Sequence, residues 1–198
     1  MAEYKVKLPI SEEEVRRFRV GDILYVSGII VTARDEAHRR ALEGLEKGEK
    51  LPIDLKGLAV YHCGPVVVKK DETWEIIAAG PTTSTRMEAL EADFIEKTGV
   101  RIVIGKGGMG AKTAEAAKKF GAVYAVFTGG AAVLAAKAIK KVVDVHWLDL
   151  GVPEALWVLE VEDFGPLTVT IDSTGRNLYD ELLAEAKRRI EEDILPKI

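Results

Sequence analysis

Residues 100–142 carry one pattern twice, and that pattern constrains the fold more than anything else in the chain. "VRIVIGKGGMG" runs from a β-branched segment into a glycine loop, and "AKTAEAAKKFG" reads as a helix. "AVYAVFTGG" then repeats the strand and loop, and "AAVLAAKAIKKV" repeats the helix. A strand that returns through a helix to a neighbouring strand must run parallel to it, by a right-handed crossover. Part of the sheet is therefore expected to be parallel and covered on at least one face. A chain of 198 residues suits one large or two small domains. No linker-like stretch divides it, so a single mixed α/β domain over residues 1–198 is expected.

The flanking segments fill in the rest. "YKVKLP" alternates as a strand, and Ser11 with Glu14 forms a capping-box pattern for a short helix, "EEEVRRF". "DILYVSGIIVTA" reads as a long strand with a bend at Gly28. Asp35 is the expected N-cap of "EAHRRALEGLEKG", which ends at Gly48. "GLAVYHCG" and "WEIIAAG" read as two strands joined by a polar turn at "KKDET". "MEALEADFIEKTG" reads as a helix ending at Gly99. In the tail, "ALWVLEVEDFGPLTVTIDSTGRNLY" alternates and suggests an antiparallel hairpin turning at "DSTGRN", before a last amphipathic helix, "DELLAEAKRRIEED".

Several function classes are excluded at this level. A net charge of -4 gives no basic face for a nucleic acid. No apolar run approaches the roughly 20 residues that span a bilayer, and the N-terminal stretch lacks a signal-peptide core. A cytoplasmic protein without membrane contact is expected. The one cysteine, Cys63, permits no internal disulfide and cannot alone hold an iron–sulfur cluster. Its neighbour His62 suggests a nucleophile with its base, but "LAVYHCGPVVV" reads better as a buried strand meeting a turn. The absence of glutamine and the single Asn177 suit a thermophile.

The chemistry is concentrated in loops between strands and helices. "GPTTSTRM" gathers four hydroxyl side chains and Arg86 ahead of a helix, as an anion would require. "GKGGMG" satisfies G-x-G-x-x-G, but "FTGG" stands where a dinucleotide site needs its ribose-binding acid. Lys106 within these glycines instead suggests an anion cradle of backbone N–H groups plus an ammonium. Arg34 of "TARDEAH" lies at a third such junction. If the strands are neighbours, Thr82, Ser84, Arg86 and Lys106 converge, and these cations suit a small dicarboxylate. His38, one turn after Arg34, is read as facing solvent, with support of Arg34 as the alternative.

"TARDEAH", "HCGP", "GPTTSTRM" and "IGKGGMG", in that order, resemble the β subunit of the iron–sulfur hydro-lyases, the family of class I fumarases and L-tartrate dehydratases. The resemblance covers essentially the whole chain. It implies a swivelling β/β/α domain with a parallel central sheet and a smaller antiparallel layer. It also implies a partner α subunit that holds a four-iron, four-sulfur cluster, with this chain completing the site and supplying no ligand. By motif, Arg34 and Arg86 would bind substrate carboxylates, Ser84 would help, Thr82 would be the candidate base, and Lys106 would sit beside the substrate. Thr85 departs from the family pattern, which is expected to carry a smaller residue there. Reversible hydration of fumarate to (S)-malate is the leading expectation, with a hetero-oligomer that includes β–β contacts. Dehydration of L-tartrate to oxaloacetate is the alternative, followed by a non-catalytic dinucleotide- or anion-binding domain.

Overall fold

The computed structural model describes residues 1–195. It opens with β1 (Glu3–Lys7), which pairs in parallel with β2 (Ile23–Thr32). Between them lies the single-turn helix α1 (Glu12–Val15). Its capping box forms as expected: Ser11 Oγ accepts from the Glu14 N–H, and the Glu14 carboxylate accepts from the Ser11 N–H. α2 (Asp35–Glu46) follows β2, with Arg34 and not Asp35 at the N-cap position. β3 (Ala59–Tyr61) is buried throughout, as a strand covered on both faces must be.

β4 (Val66–Lys70) and β5 (Thr73–Ala78) then form a separate antiparallel pair. Sequence reading took "KKDET" for a turn. In fact "KK" closes β4, and the turn is confined to Asp71 and Glu72. α3 (Glu88–Thr98) ends at Gly99, in the left-handed conformation at φ 71°. β6 (Ile102–Gly105), α4 (Ala111–Phe120), β7 (Val123–Val126) and α5 (Ala132–Ala138) realise the double strand–helix repeat. The second helix is shorter than its pattern suggested, because Ile139 begins β8 (Ile139–His146) directly.

β9 (Leu156–Ile171) is one strand of 16 residues. The hairpin expected in the tail does not form: "DSTGRN" instead leads through a single Ile171–Asn177 bridge into α6 (Leu178–Arg189). Its antiparallel partners are β2, β7 and β8. Among the described residues seven strands form one sheet, in the order β1-β2-β3-β6-β7-β9-β8. The run from β1 to β7 is parallel. β9 is long enough to pair with β7 at residues 168–171 and with β2 at residues 158–168, which closes the circuit β2-β3-β6-β7-β9.

The core fills that circuit and the space beneath the helices. Trp157, Tyr61, Tyr124, Phe94 and Phe164 are fully buried, and removal of such a side chain from water contributes roughly 1.5–3 kcal/mol. The Tyr61 and Phe164 rings meet edge to face at 5.1 Å, and Phe127 stacks on Phe164 at 5.3 Å. No helix among the described residues is long and apolar enough to cross a membrane.

Candidate functional site

β2, β3 and β6 lie side by side and parallel, so their C-terminal ends open on one edge, where open α/β sheets carry their ligand sites. Arg34 follows β2, His62 follows β3 and Lys106 follows β6. The segment 80–87 is threaded through these ends. Pro81 bridges Cys63, the Thr82 N–H donates to the His62 carbonyl at 2.7 Å, and the Ser84 N–H donates to the Lys106 carbonyl at 3.0 Å. Thr83 forms an isolated parallel bridge with Lys106. Arg34, Thr82, Ser84, Arg86 and Lys106 are thus held at adjoining strand ends.

Their environments differ. Arg86 is 42% exposed and pairs with Asp35 through two guanidinium nitrogens. The Arg86 hydrogen bond holds the Asp35 carboxyl below its ordinary range, despite partial burial. Arg34 is 25% exposed, with its Nε 3.0 Å from the Glu154 carboxylate. Each arginine therefore already holds a carboxylate, the group expected of a ligand. Thr82 is half-buried. The Lys106 side chain runs over Gly129, where a Cβ would stand 3.0 Å from its Cδ. Ser84 is fully buried: its hydroxyl lies 2.9 Å from His62 Nδ1 and accepts from the Lys106 N–H at 3.2 Å. Gly105 makes room for it, since a Cβ there would lie 1.8 Å from Ser84 Oγ.

At the far end of the glycine loop, a side chain of this protein takes the backbone donors that open α4. The Glu88 carboxylate, at the start of α3, accepts from the backbone N–H groups of Gly110, Lys112 and Thr113 at 2.6, 3.1 and 3.3 Å, and from Thr113 Oγ1 at 2.7 Å. It thereby satisfies the free donors at the positive end of α4. A Cβ on Gly110 would stand 2.7 Å from that carboxylate, which accounts for the glycine. Thr85 Oγ1, Tyr124 Oη and Asn177 Nδ2 donate to the carbonyls of Gly108, Gly107 and Met109, at 2.8, 2.8 and 2.9 Å. Thr85 is thus a tether for the loop.

Beneath the strand ends lies a charged cluster. His38, His62 and Glu91 are fully buried. Glu91 Oε2 is 2.8 Å from His62 Nε2 and 3.4 Å from His38 Nε2, contacts close enough for ion pairing but not aligned as hydrogen bonds. His38 Nδ1 donates to the Arg34 carbonyl at 2.8 Å. Burial would drive the charge off His38, but the Glu91 carboxylate outweighs it and holds the imidazole above its ordinary pKa. Burial does prevail at His62, whose pKa is lowered. Burial would likewise raise the Glu91 carboxyl, but the two imidazoles bring it down to about 2. The Glu91 charge thus favours a protonated His38, while burial favours a neutral His62. A neutral His62 with its proton on Nε2, facing Glu91, leaves Nδ1 to accept a hydrogen bond from the Ser84 hydroxyl. His38 is not a solvent-facing residue, and His62 is not the base of Cys63. Burial raises the Cys63 thiol to about 12, against the opposing Arg34 charge.

Asp35, Glu88, Glu91 and Glu154 were missed by sequence reasoning. Glu91 left a signal: it shares the buried stripe of α3 with Phe94, Ile95 and Thr98, at helical spacing. The groove of about 430 Å³ between β5, α5 and β8 is lined by none of the residues at these strand ends or in the buried cluster.

The model of the family described as "Fumarase C-terminus" matches residues 2–182. The "L(+)-tartrate dehydratase subunit beta" of Escherichia coli (strain K12) is 49% identical over 189 residues, which cover 94% of this chain and 92% of that protein. The "Putative L(+)-tartrate dehydratase subunit beta" of Methanocaldococcus jannaschii is 42% identical over 184 residues, 92% of this chain and 94% of that protein. The "Putative fumarate hydratase class I" of Geobacillus stearothermophilus is 44% identical over 178 residues, 89% of this chain but 34% of that protein.

Proposed function

Because the chain belongs to the fumarase C-terminus family, we propose that it is the β subunit of a two-subunit hydro-lyase that removes water from a four-carbon hydroxydicarboxylate, with L(+)-tartrate as substrate. One observation carries the choice of substrate: relatives that match nearly their whole length bear the tartrate dehydratase name. The fumarate hydratase relative shares only a third of its own length. Fumarate hydration, the leading expectation from sequence, therefore becomes the second reading.

The chemistry follows from the residues at the strand ends. Arg86 and Arg34 take the two substrate carboxylates in place of Asp35 and Glu154. Planar guanidinium groups suit this, and they oppose the charge that develops when a proton leaves the carbon beside a carboxylate. Thr82 is the base for that proton, and the neighbouring Lys106 ammonium lowers the cost of forming its alkoxide. Ser84 acts from beneath, holding the Lys106 backbone.

This chain's residues do not fit an iron–sulfur cluster, since its single cysteine is buried and its thiol is raised to about 12. A four-iron, four-sulfur cluster is accordingly assigned to a partner α subunit, whose cysteines would hold it. The open edge of strand ends supports a site completed by that partner.

The test is anaerobic co-expression with a cysteine-bearing partner, followed by turnover of L-tartrate and malate. The isolated chain is expected to be colourless and inactive, and the pair to act on tartrate with the higher kcat/KM. A malate preference would move the assignment to fumarate hydratase. Turnover by the purified chain alone would overturn the subunit reading.

A further inference from the structure

The buried cluster links two junctions that the proposed chemistry needs but does not itself connect. From the β2–α2 junction, the Arg34 carbonyl takes a bond from His38 Nδ1 at 2.8 Å. His38 meets Glu91, and Glu91 meets His62 at 2.8 Å. His62 Nδ1 lies 2.9 Å from Ser84 Oγ, which accepts the Lys106 N–H at 3.2 Å. The path runs through side chains that solvent does not reach. It connects the backbone of one cationic residue to the backbone of another across β3.

We propose that Glu91, His38 and His62 are positioning residues, a buried charged bridge that fixes Arg34 and Lys106 relative to one another before substrate binds. The inference rests on the proposed function for the meaning of Arg34 and Lys106, but not for the existence of the bridge. An apolar trio would pack this space without the desolvation cost of a buried carboxylate. What the charged trio adds is direction, since each imidazole has one nitrogen on Glu91 and the other on a site junction. The three atoms lie within 4.8 Å of one another, a spacing that three metal ligands can also have, so the metal content of the wild-type chain is part of the test.

Glu91→Gln keeps the shape and removes the charge; His62→Asn keeps an acceptor for Ser84 and removes the reach to Glu91. In the reconstituted complex, well below each melting temperature, both are expected to raise KM at least tenfold through the misplaced Arg34 and to lower kcat through the misplaced Lys106. The double variant should add little to either, as members of one network do. In the isolated chain, amide exchange at Lys106 should quicken at least tenfold in Glu91→Gln. A merely structural role would lower the melting temperature and leave KM unchanged. KM within twofold of wild type in the folded variants would overturn the bridge, as would unchanged Lys106 exchange. So would a stoichiometric metal held by wild type and lost in Glu91→Gln. If the wild-type complex turns over neither tartrate nor malate, the proposed function fails, and the exchange measurement still decides the bridge. If Glu91→Gln does not fold, His62→Asn carries the same measurements.

Discussion

Arg86 meets Asp35 through Nε at 3.2 Å and through a second, shorter contact from its terminal nitrogen, a two-point grip that an ammonium cannot reproduce. Arg86→Lys is therefore expected to lose one charge-assisted bond to a substrate carboxylate, about 1.5–3 kcal/mol, or roughly 10- to 150-fold in kcat/KM. Steady-state kinetics of the reconstituted complex check this; an unchanged kcat/KM would leave Arg86 a surface partner of Asp35. Thr82 makes a different demand, because only its hydroxyl matters. Thr82→Val keeps the β-branched shape and is expected to lower kcat by about 10²–10⁴-fold, while Thr82→Ser retains measurable activity. Loss of solvent deuterium exchange at the substrate carbon is the readout, and persistence of that exchange would move the base elsewhere. The placement of these residues was legible because motif and position agree, each lying between a strand and a helix. Glu91 was not, because "EALEAD" reads as an ordinary solvated helix face. Only its place on the stripe with Phe94, Ile95 and Thr98 betrays its burial. His38 was misread for the same reason: its partners come from α3 and β3, far away in sequence.

Elements whose signal is local formed as read, and elements defined by their neighbours did not. The capping box of α1 and the Gly99 end of α3 depend on a few adjacent residues, and both are present. β8 was absorbed into the helix before it, because "AIKKV" continues the helical pattern of "AAVLAA". Pairing of Ile139–His146 with β9 decides otherwise. The tail reads as a hairpin because "DSTGRN" is a strong turn signal after a long alternating run. In the fold that segment leaves the sheet for α6, and β9 instead changes partner along one strand, from β2 to β7 at Thr168. α4 owes its start to another element, the Glu88 carboxylate of α3. Glu88→Ala leaves the backbone donors of Gly110, Lys112 and Thr113 without it. The expected cost is about 2 kcal/mol, with a smaller loss for Glu88→Gln, which keeps one acceptor. Urea midpoints at neutral pH measure the series, and three equal midpoints would mean that water caps α4 equally well.

At the scale of the whole molecule, α2 and α3 packed over the end of β3 place a charged cluster where water does not reach, and that couples global stability to pH. Glu91 has a folded-state pKa of about 2, below the ordinary carboxyl value of 4.5. A lowered carboxyl contributes stability above its unfolded pKa, and the contribution is lost as pH falls through the folded value. The window is therefore about pH 4.5 down to 2, and the loss is on the order of 3 kcal/mol. His38 has the opposite sign. Its pKa is raised, so its contribution is complete below the unfolded value near 6.5 and is lost as pH rises through the folded one. His62 is lowered, so keeping it neutral begins to cost stability once pH falls below the unfolded value. Asp35 also faces the cluster, and its own lowered pKa adds to the acid limb. Subtracting a variant that retains Asp35 separates the two. Urea unfolding of the isolated chain from pH 2.5 to 8 should show wild type losing more stability on the acid side than Glu91→Gln. The gap should narrow steadily below pH 4.5, because protonated Glu91 becomes the neutral equivalent of glutamine. Parallel curves across that window would mean that the fold does not lower the Glu91 pKa, and with it would go the ion pairing that raises His38.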